Sequence, residues 1–197
     1  MKTLTFAVFF LLAGCATTAE QANESTARID ADVSTLNSAP CCANASTIKY
    51  LEIRSGRNSI VPIDESSPII SLSNGRSYAV GFLAPPRTRT TSLTIRAFGV
   101  GIYAPTSVNF FPSFLFYNED GAPIEITIPW TLRPVRADWV DRASLEALIE
   151  LPPSTTPTRV LVYTRPDSVT KRSPVIVANG TYLVPNGLFG SVRAIWP

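Results

Sequence analysis

Histidine is absent from the 197 residues, and lysine occurs three times against fourteen arginines. Without the usual proton carrier, serine and cysteine triads of the common type are excluded, and so is a histidine-built metal site. Charge is sparse as well, at 16% of residues with a formal net charge of +2. The arginines are scattered from Arg28 to Arg193 without forming a basic run, which argues against nucleic acid as a partner. Cysteine is limited to Cys15, Cys41 and Cys42. No Walker loop, dinucleotide fingerprint, heptad pattern or internal repeat is present. No cofactor is implied.

What is present begins with Met1 to Cys15, MKTLTFAVFFLLAGC. Lys2 gives a short positive start, and Leu4 to Leu12 form an apolar run shorter than the roughly 20 residues a spanning helix needs. Small residues follow at Ala13 and Gly14. This is the pattern of an export signal over residues 1–14. Leu12-Ala13-Gly14-Cys15 resembles the bacterial lipobox, in which the chain is cut before the cysteine and the thiol is lipidated. Cys15 is therefore the expected lipid anchor, a membrane attachment rather than a span. Ala16 is not the aspartate that tends to retain such proteins at an inner membrane. The expected location is the periplasmic side of the outer membrane.

From Cys15 to Pro40 the chain is small and polar, and is expected to be a flexible tether over 15–40 reaching about 25–30 Å. The folded domain is expected over 41–197. Cys41 and Cys42 are adjacent, about 3.8 Å apart between α-carbons on a trans peptide, against the usual span of about 4.4–6.8 Å across a disulfide. They fit a strained disulfide, a redox-sensitive pair, intermolecular bridges, or two small residues that are incidentally thiols. With no second cysteine pair, no metal site is expected.

Seventeen prolines and ten glycines punctuate short apolar runs. Asn74-Gly75 marks a hairpin between Ile69–Ser73 and Ser77–Leu83, whose Tyr78, Val80 and Phe82 alternate onto one face. Ser92–Ala97 places Leu93, Ile95 and Ala97 opposite Thr94 and Arg96. Val108–Tyr117 and the alternating stretch Ile124–Trp130 are expected to pair across Asn118-Glu119-Asp120-Gly121. Glu146–Leu151 forms a further strand, and Arg159–Thr164, apolar on both faces, a central one. One helical turn is expected at 137–143 and another started by Asp167. Together these predict an all-β, antiparallel two-sheet sandwich with one or two short helical turns.

Several segments in order, Cys41-Cys42, Tyr78 to Leu83, Tyr103-Ala104-Pro105 leading into Phe111-Pro112, Asn118 to Gly121 and Val160 to Thr164, resemble the maltose operon periplasmic protein (MalM) family over about residues 40–197. The resemblance implies a periplasmic protein associated with carbohydrate uptake, with no established enzymatic activity and no agreed binding residues.

Three classes of function can be weighed on the residues. An enzyme would have to use carboxylates, for which Glu119, Asp120 and Glu125 are the candidates, but Asn-Glu-Asp-Gly is foremost a turn sequence. A carbohydrate-binding module would stack a sugar on an exposed tryptophan, among Trp130, Trp139 and Trp196. Trp130 alternates with isoleucines and reads as core, so Trp139, between Asp138 and Asp141, is the expected sugar contact. The third class is a structural or partner-binding envelope lipoprotein. The reading that results is a non-enzymatic lipoprotein, accessory to maltose or maltodextrin uptake, with an envelope protein or an oligosaccharide as partner.

Overall fold

The structure, a computed structural model, describes residues 10–101, 107–126, 131–137, 142–169, 171–178 and 180–197, with backbone alone for 10–22 and 131. Among the described residues one α-helix, α1 (Phe10–Ser38), precedes fourteen strands. Residues 15–40, expected as a flexible tether, are thus helical as far as Ser38. The cause is a narrow stripe. Ser25, Ile29 and Leu36 are buried and Val33 is half-buried, a spacing that puts all four on one helical face. Ile29 and Leu36 join the same core as the strands, so the folded unit starts well before Cys41. Arg76 holds the C-terminal end of α1, donating from Nη1 to the carbonyls of Asn37 (3.4 Å) and Ala39 (3.1 Å), where helix carbonyls lack partners.

The first sheet is built on β5 (Gly75–Ala84). β1 (Tyr50–Glu52, parallel) and β4 (Ile69–Leu72, antiparallel) share one of its edges. On the other lies β11 (Thr158–Thr164), followed by β8 (Pro112–Tyr117). The Asn74-Gly75 hairpin forms as expected, with Leu72 opposite Gly75, and β11 is central as expected. Both faces of this sheet are covered. Tyr78, Val80 and Phe82 enter the main core, while Ala79, Leu161 and Tyr163 pack beneath Ala43, Ala45, Ile48 and Tyr50. Gly81 makes that possible: a β-carbon there would lie 2.7 Å from the Tyr50 ring.

The second sheet runs through β14 (Gly190–Trp196), β6 (Thr91–Phe98), β10 (Ser144–Leu151) and β9 (Thr131–Val135). β2 (Gly56–Arg57) and β3 (Val61–Ile63) lie along the outer edge of β14. Leu93, Ile95, Ala97, Leu145, Ala147, Ile149, Val192 and Ala194 face the first sheet across the core. Burying each large aliphatic or aromatic side chain contributes about 1.5–3 kcal/mol. A smaller sheet of β12 (Arg172–Val177), β13 (Gly180–Gly187) and β7 (Asn109–Phe110) completes the fold, with β13 also packed against α1. The all-β sandwich-like architecture is therefore present, with two parallel pairings, β1–β5 and β7–β13, that the antiparallel expectation did not contain.

Two expectations change in detail. β8 takes β11 as its ladder partner, and among the described residues meets the Ile124 stretch through a Tyr117–Pro123 bridge and a bond from the Ile124 N–H to the Phe116 carbonyl (2.8 Å). Residues 127–130 lie outside the described residues. The helical turn near Asp167 is a 3₁₀ turn, Pro166–Ser168, with Arg165 rather than Asp167 at its N-cap; proline fits the first helical position because its missing N–H needs no partner there. The turn expected over 137–143 falls mostly on residues outside those described.

Candidate functional site

A cleft lined by polar and charged side chains forms where β11 leaves the first sheet. After Thr164 the chain turns at Pro166, and the Ser168 N–H and Oγ both donate to the Arg165 carbonyl, at 2.9 and 2.7 Å. This bend lets the Arg165 guanidinium fold back onto Asp167, with Nε to Oδ1 at 2.9 Å and Nη2 to Oδ2 at 2.7 Å. Asn74, in the β4–β5 turn, adds a bond from Nδ2 to Oδ1 (3.2 Å). The Arg165 hydrogen bonds hold the Asp167 carboxyl below the usual carboxylate range. The fork is planar and bidentate, so both side chains are oriented before any ligand arrives.

Across the cleft stands Asn186 of β13, 1% exposed. Its N–H donates to the Lys171 carbonyl (2.9 Å) and its Nδ2 to the Ser168 carbonyl (3.1 Å). Its Oδ1 is buried without a hydrogen-bond partner among the described residues. Buried polar atoms are nearly always paired, so such an acceptor marks a place where a donor belongs. Half-buried Phe111 forms an aromatic wall, and Lys171, Arg172 and Ser173 complete a cleft of about 220 Å³. Asp167 is the one carboxylate among its lining residues, facing three cations. The arrangement offers a fixed fork, an amide, an aromatic surface and a positive field.

A second cavity, of about 260 Å³, lies between the small sheet and the end of β6. Val108, Val175, Val177 and Val184 wall it, and Asn109 lines it with an Nδ2 that has no partner among the described residues. Arg142 lines it too, with its guanidinium carbon 5.7 Å from the centroid of the Phe98 ring. Mostly apolar walls suit it less well to a hydroxyl-rich ligand than the Asn186 cleft.

The outer face of the second sheet carries a row of charge. Register places Arg193, Arg96, Glu146 and Arg133 side by side across β14, β6, β10 and β9. The Glu146 carboxylate accepts from Arg96 Nε (2.9 Å) on one side, and from Arg133 Nε (2.9 Å) and Nη2 on the other. Of the four, Arg96 was expected on the polar side of its strand. The strands of Arg133 and Arg193 were not read from the sequence, and the alignment required the register.

The residues singled out from the sequence are dispersed. Cys15 lies in α1 among residues whose side chains are not described, and Trp139 and Trp130 lie outside the described residues altogether. Trp196 is buried in the core. Cys41 is exposed and Cys42 half-buried, and their sulfurs lie within bonding reach of each other just after α1. Glu119 and Asp120 sit on an exposed turn closed by Asn118, whose Oδ1 accepts from the Ala122 N–H (2.7 Å), as the turn reading requires. The cleft residues Phe111, Arg165, Asp167 and Asn186 were not among those singled out. The excess of polar and charged residues over 165–173 was their one sequence signal.

Among the described residues no group of three His, Cys, Asp or Glu side chains is placed to hold a metal ion, and no helix is long and apolar enough to cross a membrane. No family model, curated protein or solved structure matches the chain.

Proposed function

We propose that this chain is a non-enzymatic lipoprotein of the cell envelope, anchored through Cys15 and facing the periplasm from the outer membrane, that binds an oligosaccharide as an accessory to carbohydrate uptake. The observation that carries the ligand-binding part is the Asn186 cleft, where a buried unpartnered amide oxygen, an oriented Arg165–Asp167 fork and the Phe111 ring converge. Sugars present hydroxyls that both donate and accept beside apolar ring faces, and these groups answer all three features. A single carboxylate among the described lining residues supports binding over glycoside hydrolysis, which ordinarily needs two. The anchor is supported by the signal and lipobox of residues 1–15, and the maltodextrin link by the family resemblance alone.

The test is calorimetric titration of the detergent-solubilised mature protein with maltodextrins and with β-linked glucans as controls. Saturable heat with maltodextrins, weakened at least tenfold by Asp167→Asn, is the expected result. No heat with any oligosaccharide from a folded sample would overturn direct sugar binding and leave a partner-binding envelope role.

A further inference from the structure

Two proline pairs, Pro85-Pro86 after β5 and Pro152-Pro153 after β10, meet at the end of the sandwich opposite the β4–β5 turn. Their loops are clasped main chain to main chain: the Arg87 N–H donates to the Ser154 carbonyl (2.8 Å), and the Ser154 N–H returns a bond to the Arg87 carbonyl (2.9 Å). Held in this clasp is the Arg87 side chain. The residue is only 9% exposed.

Its partners are neutral. Nη1 donates to the Pro85 carbonyl (3.3 Å) and Nη2 to the Thr158 hydroxyl (3.1 Å). A guanidinium carries five N–H donors, so three remain, among them the buried Nε, without an acceptor among the described residues. Arg96, Arg133 and Arg165 each have a carboxylate; Arg87, buried, has none within ion-pair distance among the described residues. Taking a cation out of water without a counter-charge is costly, and burial pulls this guanidinium below its ordinary pKa. An open groove of about 850 Å³ lies over the clasp, and exposed Thr88 and Thr155 line it.

We propose that the clasp is a binding site for a small oxyanion, held by the unused N–H donors of Arg87 with the Thr88 and Thr155 hydroxyls at the rim. The planar fork matches carboxylate or phosphate oxygens, and the anion supplies the missing counter-charge. Free phosphate and a phospholipid headgroup present the same chemistry.

The detergent-solubilised mature protein is melted in sodium phosphate against sodium chloride at matched ionic strength, and with a soluble short-chain phosphatidylglycerol against the matching phosphatidylcholine. The expected result is a saturable rise in Tm specific to phosphate, abolished by Arg87→Gln. A rise with phosphatidylglycerol alone, dependent on Arg87, would place the oxyanion on a lipid and support the site equally. If Arg87→Gln fails to fold, the Thr88→Val/Thr155→Val double variant decides, with a several-fold weaker affinity expected and an unchanged one overturning the proposal. A phosphate response no larger than that of chloride together with no response to phosphatidylglycerol, or an Arg87→Gln protein responding as the parent does, would overturn it as well.

Discussion

Arg96 and Glu146 face each other across β6 and β10, with Nε 2.9 Å from Oε2, and Glu146 reaches Arg133 on its far side. Burial alone would raise the Glu146 carboxyl, but the hydrogen bonds from Arg133 and Arg96 and their charges outweigh it, and the net shift is downward. A depressed carboxylate contributes stability above its unfolded pKa, about 4.3, that is lost as pH falls through the folded value. Glu146→Gln should cost about 1–3 kcal/mol at neutral pH and flatten the acid limb of stability. Urea unfolding from pH 3 to 7 reads both effects; an undiminished acid limb would show that other groups carry it.

The docking of α1 rests on Ile29 and Leu36. Leu36→Ala should destabilise by about 2–4 kcal/mol, and amide exchange over 23–38 should accelerate with it. Asp32 has the opposite sign to Glu146. Its burial beside the strand loop raises the carboxyl, Arg28 offsets part of that, and Glu65 adds to it. The stability it contributes is present below the unfolded pKa and falls away as pH rises through the folded one. Asp32→Asn should therefore slow exchange along the helix at pH 7, while leaving it little changed near pH 3.

Two glycines separate crowding from backbone strain. At Gly190 a β-carbon would lie 2.6 Å from the Phe98 carbonyl oxygen and 2.9 Å from Phe110 Cγ. Gly190→Ala should cost about 3 kcal/mol. Gly56, at φ +82° with nothing within 4 Å of that position, should lose only about 1–2 kcal/mol on the same change, through left-handed backbone alone. Thermal melts of the two variants should rank in that order.

Tyr50, Tyr78, Tyr117 and Tyr163 all have their phenols pushed up, in each case chiefly by burial. Four of the six tyrosines should ionise above the ordinary value near 10 in a spectrophotometric titration. Because the folded state favours the neutral phenol, stability should fall as pH rises past 10. Tyr50→Phe also removes the bond from its hydroxyl to the Ala45 carbonyl (2.7 Å), at a cost of about 1 kcal/mol.

Two kinds of strand were legible: β6, whose faces differ sharply, with Leu93, Ile95 and Ala97 inward, and β11, apolar on both faces. Residues 15–40 misled because polar residues surround the apolar ones. Ile29, Val33 and Leu36 are too few to register as an apolar helix, yet at spacings of four and three they suffice once the core beside β5 and β13 receives them. The cleft was hidden for a different reason. Phe111, Asp167 and Asn186 come from three separated segments, and only the parallel pairing of Asn186 with Asn109 brings β13 beside β7. Long-range register of that kind leaves no mark in local periodicity.

β14 lies inside the second sheet, bonded to β6 along one edge and to β2 and β3 along the other. A chain delivered amino end first makes β6 long before the strand that closes the sheet, since Phe98 must wait for Ser191. Until then the outer edge of β6 is unpaired, while β10 and β9 can already lie along its other side. Closure so late and so non-local is slow. The open β6 edge is where a partly made chain would pair with a second copy before its own last strand arrives.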